Sequence, residues 1–363
     1  MQSADVITDL NRVALAFDSA IAEAARFMGA TAPNPPVGCA LLDDEGEILV
    51  TAAHHRAGTP HAEARALADA ARLGVLHRAR CAVVTLEPCN HTGRTPPCSE
   101  ALRASPVREV WIGAADPHHL AAGGAARLAE RPGGMSVHFA AGHPALAAQH
   151  ESCRALIGPF ASRVTRGRCR ITVKQALDAQ GSMSPPPGRT TFTDSGSLRL
   201  AHLLRRATDA IITGAGTVLA DNPRFTVRHV PDYRDRAPRL LALCDRRGRV
   251  PATWDAEMRS AGFHVLRVRD LADAPASLAA HGANWAMVEG GPALLEAVRA
   301  ADMWDDWLTL RLPSGRLPSG RLHSGRHHSD LRDLACRSPS PLAALPEAAA
   351  LLTSVTPTSV TQG

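Results

Sequence analysis

The N-terminal stretch MQSADVITDLNRVALAFDSAIAEAARFMGA sets Asp5, Asp9 and Asp18 among recurring apolar positions, the pattern of an amphipathic helix and not of a signal peptide or membrane span. The next apolar run, VGCALLDDEGEILVTAAHH, divides into two strands around a turn at Glu45 and Gly46. Helical spacing returns in HAEARALADAARLG and stops at a glycine. CAVVTLE is a short strand rich in β-branched residues, CSEALRAS opens another helix, and VREVWIG is a further strand. Strands alternating with helices predict a layered α/β domain that ends near Ala141.

A polar helical segment around Pro144 to Arg168 follows, and CRITVKQAL begins a second unit. TDAIITGAG, PRLLALCD, FHVLRV and NWAMVEGG are its further strands, with helices over Ser197 to Ala207 and Ala293 to Ala301. The periodicity fails after Leu312, where RLPSGRLPSGRLHSGR repeats a five-residue unit and the remainder is rich in Pro, Ser and Thr. The expected organisation is a first domain over residues 11–142, a linker helix over 143–169, a second domain over 170–312, and a disordered low-complexity tail over 313–363 without a core strand.

A chain of 363 residues with 45% hydrophobic composition can bury two ordinary cores. Its net charge of +5 is modest, its basic residues are scattered and its aromatics make up only 4%, so neither a nucleic-acid surface nor a base-stacking platform is expected. No apolar run reaches the roughly 20 residues that a bilayer crossing requires, and a cytoplasmic protein is expected. In a reducing compartment its eight cysteines are thiols or metal ligands before they are disulfides. Cys39, Cys81, Cys153, Cys169, Cys244 and Cys336 lack a partner at ligand spacing and read as core thiols. Of 40 basic residues Lys174 alone is lysine, which marks either chance survival or a site that needs a compact ammonium.

Cys89 and Cys98 differ from the rest. They bracket the loop of LEPCNHTGRTPPC, and His61 and Glu63 stand in PHAEA at the start of a helix. One imidazole and two thiolates suit tetrahedral zinc with the fourth position open to water, whereas recruitment of His91 as a fourth ligand would make the site structural. Glu63, close to the metal without binding it, would move a proton from water to a ring nitrogen and a leaving amine. H-x-E followed by P-C and a second Cys is the signature of zinc nucleobase deaminases, here with eight residues between the cysteines instead of two.

HAE and EPCNHTGRTPPC, with TAPNPPVG upstream and AADP downstream, resemble the deaminase domain of the bifunctional riboflavin biosynthesis deaminase/reductase over roughly Val13 to Ala141. The resemblance implies a cytidine-deaminase-like three-layer fold and one Zn2+ per chain. It also implies that Asn34, His54, His91, Arg94 and Asp116 line a site for a phosphorylated pyrimidine, a small-molecule partner.

In the second unit, WAMVEGGPALLEAVRAA is a strand, a Gly-Gly turn and a helix with Pro292 at its first position, an arrangement that can cradle phosphates or serve close packing alone. TGAGTVLADNPRFTVR sets Asp221 and Arg228 where they could face one pocket or form an ordinary ion pair. VKQALDAQG, LLRRATDAIITGAGTVLADNPRFTVR and VEGGPALL resemble the reductase domain of the same family from about Arg170 to Leu312. The resemblance implies a dihydrofolate-reductase-like fold and association into homo-oligomers through this half. Lys174, Arg205, Arg228 and Glu289 would then meet the phosphoribosyl substrate or organise hydride transfer, and Thr217, Asp221, Gly290, Gly291, Pro292, Ala293 and Leu294 would contact NADPH. PPPGRTTFT replaces an aromatic cofactor contact but keeps Thr193, and the repeat after Leu312 stands where the family continues with two strands. An incomplete sheet would leave a deaminase with an impaired reductase half as scaffold, the alternative to a bifunctional enzyme.

Overall fold

The computed structural model describes residues 9–91, 96–184, 193–312 and 331–358. The chain divides into two compact units, the first made of residues up to Gly167 together with Ala344–Pro346 and the second of the rest. In the first, the helix α1 (Leu10–Ala25) is capped by the Asp9 carboxylate, which accepts from the Asn11 amide, and buries Val13, Ala16, Phe17, Ala20 and Ala24 along one face. The strands β1 (Gly38–Leu42), β2 (Ile48–Ala53), β3 (Cys81–Val84), β4 (Glu109–Ile112) and β5 (Ser136–Phe139) form one sheet in the order β2-β1-β3-β4-β5. β1 is antiparallel to both its neighbours, and β3, β4 and β5 run parallel.

Helix α1 lies against β1 so closely that a Cβ on Gly38 would stand 2.0 Å from the Ala20 carbonyl oxygen. The helices α2 (Ala62–Arg72), α3 (Cys98–Arg103) and α4 (Gly124–Ala129) share a core with the sheet made of Leu41, Val84, Val110 and Ile112 together with Ala66, Leu102 and Leu128.

The helix α5 (Ala147–Arg166) is part of this unit and corrects the expected linker over 143–169. It packs on α1, buries Cys153, Leu156 and Phe160, and approaches β4 until a Cβ on Gly113 would meet the Cys153 sulfur at 2.3 Å. Its polar face hid an apolar one that belongs to the first core.

The second unit is an eight-stranded sheet with the order β13-β12-β11-β6-β10-β7-β8-β9. Its strands are β6 (Arg170–Leu177), β7 (Ala210–Gly214), β8 (Arg239–Cys244), β9 (Phe263–Val268), β10 (Trp285–Val288), β11 (Asp306–Arg311), β12 (Leu331–Cys336) and β13 (Ser354–Pro357). From β9 to β11 every pair is parallel, and α6 (Ser195–Ala207), α7 (Ala215–Asp221), α8 (Ala252–Ser260), α9 (Ala274–Ala280) and α10 (Pro292–Ala300) alternate with the strands. Buried Asp306 takes a bidentate pair from Arg170, both contacts at 2.8 Å, and accepts the Thr172 hydroxyl at 2.9 Å. That hydroxyl accepts the Trp285 indole N–H at 2.8 Å, so one polar chain ties β11, β6 and β10.

The expected absence of core strands after Leu312 is overturned. β12 pairs antiparallel with β11 from Asp306↔Cys336 to Arg311↔Leu331, and β13 runs parallel to β12. Leu334 and Cys336 are buried, and the Arg332 guanidinium donates to Asp194 at 2.7 Å and to the Ser197 hydroxyl at 3.1 Å. The sheet continues beyond β11, which removes the premise of a truncated reductase half. Residues 313–330 and 359–363 of the expected tail, and Pro185 to Phe192, lie outside the described residues. No described helix is long and apolar enough to cross a membrane.

Candidate active sites

His61 stands at the N-cap of α2 in extended conformation, yet its side chain makes no capping bond. The ring is turned to the two sulfurs instead: Nδ1 lies 3.7 Å from Cys89 Sγ and 3.4 Å from Cys98 Sγ. Cys89 follows β3 and Cys98 is the first residue of α3, whose backbone N–H donates to the Cys89 sulfur at 3.4 Å. All three ligand atoms lie within 4.8 Å of one another. Tetrahedral bond lengths of about 2.3 Å to sulfur and about 2.05 Å to nitrogen place such atoms about 3.6 Å apart, so the donor set fits zinc in size and chemistry. Hydrogen bonding between the sulfurs holds the Cys89 thiol well below its ordinary range, to about 4, and lifts that of Cys98. His91 is exposed and is not part of the converging group, so the fourth-ligand alternative fails.

Glu63, in the first turn of α2, is 3% exposed. Burial, followed by the charge of Cys89, pushes its carboxyl up to about 6. Beside it, His54 is buried and burial lowers its pKa to about 4, which keeps the ring neutral. Nδ1 faces the Pro60 carbonyl at 3.2 Å and therefore carries the proton, leaving Nε2 to accept the Asn34 amide at 3.1 Å. Asp116 follows β4; burial raises its pKa, and its carboxylate accepts the His118 amide at 2.8 Å. Arg94 lies outside the described residues.

In the second unit Glu289, just past β10, holds two cations. Arg205 of α6 donates through Nε to Oε2 at 2.9 Å and through Nη2 to Oε1, and Lys174 of β6 places Nζ 3.3 Å from Oε1. Burial raises the Glu289 carboxyl, but Lys174 and Arg205 together outweigh it and leave it well below the ordinary carboxylate range. The lone lysine thus stands in a charged triad. Arg228 does not pair with Asp221: its guanidinium reaches the Thr226 hydroxyl at 3.0 Å, and Asp221 is exposed at the end of α7. Thr217 accepts the Gly291 amide at 3.0 Å, tying α7 to the Gly-Gly turn before Pro292, Ala293 and Leu294. A Cβ on Gly290 would lie 2.5 Å from Leu294 Cδ2, so a larger residue at this turn would require the Leu294 side chain to shift.

Residues 12–114 match the model of the cytidine and deoxycytidylate deaminase zinc-binding region, and residues 170–313 match the RibD C-terminal domain. The riboflavin biosynthesis protein RibD of Corynebacterium ammoniagenes is 36% identical over 77% of this chain and 79% of that protein. The chain belongs to the RibD family. Several further RibD relatives align over little more than half their own length. Acinetobacter baumannii RibD has a similar structure, with a TM-score of 0.72 and 27% identity over 88% of this chain and 93% of that one. A Thermotoga maritima diaminohydroxyphosphoribosylaminopyrimidine deaminase/5-amino-6-(5-phosphoribosylamino)uracil reductase gives 0.71 and 25% over 85% and 89%.

As a RibD-family protein the chain is a bifunctional enzyme of riboflavin biosynthesis, with a zinc deaminase domain and an NADPH-dependent reductase domain. Two residues of its sites escape a reading by motif. His202 is buried between Arg205 and the Arg228 amide, which donates to Nδ1 at 2.9 Å. Glu87, immediately before the ligand turn, accepts three backbone N–H groups. An acidic residue at a strand end next to Pro-Cys was the available signal. Of the other six cysteines, Cys39, Cys81, Cys153, Cys169 and Cys336 are buried core thiols, the first four fully buried and pushed up by burial, whereas Cys244 is half-buried at the edge of the second core.

Proposed function

We propose that the first unit hydrolytically deaminates a diaminopyrimidinone bearing a ribosyl 5'-phosphate, and that the second reduces the ribosyl group of the product to ribityl with NADPH. The observation that carries this reading is the convergence of His61, Cys89 and Cys98 beside the buried carboxyl of Glu63. His61, Cys89 and Cys98 would hold zinc, which when bound supplies a Lewis acid that makes water nucleophilic near neutral pH. Glu63 accepts one proton of the attacking water and delivers it to the ring nitrogen, then carries the remaining hydroxyl proton to the departing amine, so that water and substrate leave as the oxo product and ammonia. Its elevated pKa suits both directions of that transfer. Neutral His54 orients the Asn34 amide toward the pyrimidine, Asp116 and His91 would line the site, and Arg94, outside the described residues, would meet the phosphate.

In the reductase half, Glu289 stays ionised and holds Lys174 and Arg205 where an anionic phosphoribosyl group would meet them, with Arg228 on the adjoining loop. The start of α10 at the carboxyl end of β10 fits a dinucleotide phosphate, because the Gly290–Gly291 turn leaves the backbone bare beside Thr217. Gly290, Gly291, Pro292, Ala293, Leu294 and Thr217 would hold NADPH, which supplies the hydride to the sugar's C1; Asp221 would meet it from the end of α7. Ammonia release from the diaminopyrimidinone, followed by NADPH oxidation that depends on the deaminated product, tests both halves. Ammonia release without NADPH oxidation would leave only the deaminase.

A further inference from the structure

We propose that Glu87 is a positioning residue for deamination, which holds the Asp116 loop in place against the segment that carries Cys89; this rests on the reading of Asp116 as a substrate contact. Glu87 is 8% exposed, and among the described residues it has no ion pair with a cation. Its carboxylate is instead filled by backbone donors. Oε1 accepts from Gly123 at 3.1 Å and Ala125 at 3.0 Å, and Oε2 accepts from Asp116 itself at 3.2 Å.

The backbone on either side of Glu87 is joined to the same loop. The Glu87 N–H donates to the Ala114 carbonyl at 2.9 Å, and the Asn90 N–H to the Ala121 carbonyl at 3.0 Å. A Cβ on Gly124 would fall 1.7 Å from the Pro88 oxygen, so the loop passes in direct backbone contact with the residue before the ligand. The segment 87–90 and the loop 114–125 are therefore joined by backbone hydrogen bonds at both ends, and the buried carboxylate is the part of the joint that touches Asp116.

A carboxylate suits three donors because both its oxygens only accept. In Glu87→Gln the amide oxygen would serve Gly123 and Ala125, and its NH2 would face the Asp116 N–H, donor against donor. Glu87→Asp keeps the charge but is one methylene short of reaching both sides.

The test uses the zinc-loaded full chain and steady-state deamination of Glu87→Gln, Glu87→Asp, Asp116→Asn and the Glu87→Gln/Asp116→Asn double variant, with zinc content and NADPH-dependent reduction measured on each. Glu87→Gln is expected to raise the deamination KM about 10-fold or more, with kcat changed far less, and to keep its zinc and its reductase turnover. Glu87→Asp carries the same expectation, so the test survives a Gln variant that does not fold. In the Asp116→Asn background the Gln substitution should add little. An unchanged KM in the Glu87 variants, additive effects in the double variant, or loss of zinc together with kcat would overturn the proposal alone. An unchanged KM in Asp116→Asn would overturn the reading of Asp116 and the proposal with it.

Discussion

The guanidinium of Arg332 donates to Oδ2 of Asp194 at 2.7 Å, so a strand that follows the pentapeptide repeat holds the N-cap of the helix that carries Arg205. Asp194 also accepts the Ser197 amide at 2.6 Å. Arg332→Ala should destabilise the second unit by about 1–2 kcal/mol and raise the KM of NADPH-dependent reduction severalfold. Ammonia release by the same preparation should be unchanged. Equal losses in both activities would mean that Arg332 serves general folding only.

Glu63 should separate metal binding from proton transfer. Glu63→Gln is expected to keep one zinc per chain by elemental analysis while ammonia release falls about 10²- to 10⁴-fold. Chelation of the zinc should abolish ammonia release and spare NADPH oxidation with the deaminated substrate. Ammonia release at the parent rate in the Gln variant would remove Glu63 from the mechanism.

Asp306 is fully buried and faces Arg170, which is 2% exposed. Asp306→Ala leaves that cation without its partner and should cost about 3–5 kcal/mol in the second unit, seen as a lower denaturation midpoint. A double variant with Arg170→Met should recover much of the loss. No recovery would place the defect in lost hydrogen bonds to Thr172 and not in the uncompensated charge.

Two buried histidines make stability fall with acidity. Burial lowers His54 to about 4 and His202 to about 3 from the ordinary 6.5. Below 6.5 the unfolded chain takes up protons that the folded chain refuses, so stability is full above that pH and declines as pH falls towards those lower values. Glu289, depressed by its cations, adds a loss in the same direction only below the ordinary 4.5. Urea midpoints measured between neutral pH and pH 5 should show the slope, and His202→Gln should flatten part of it. A slope identical to the parent's would mean that His202 titrates normally.

The convergence of His61, Cys89 and Cys98 near a buried Glu63 was legible because zinc chemistry calls for particular residue types at characteristic spacings, and the α/β alternation was legible because its periods are local. What stayed hidden depends on distant partners. LRDLAC carries two charges and buries mainly Leu334 and Cys336, so only its pairing with β11 distinguishes it from a solvated tail. Helix α5 presents a polar surface in sequence, and its membership of the first unit rests on contact with α1 at the other end of that domain. Glu289 and Arg205, 84 residues apart, meet only across the sheet, and Asp221, which looked complementary to Arg228 along the chain, does not meet it.

Arg311 and Leu331 face each other across neighbouring strands, at the two ends of the stretch that holds the repeated RLPSG units. Gain or loss of one such unit in the gene would leave that pairing intact, since the register of β12 is set by which of its side chains are buried. Doubling the length of a connection between fixed ends costs only about 0.6 kcal/mol. The reductase half can therefore tolerate copy-number drift at this point, and natural variants that differ in the number of pentapeptides are expected to keep the same strands and the same ion pairs of Glu289 with Lys174 and Arg205.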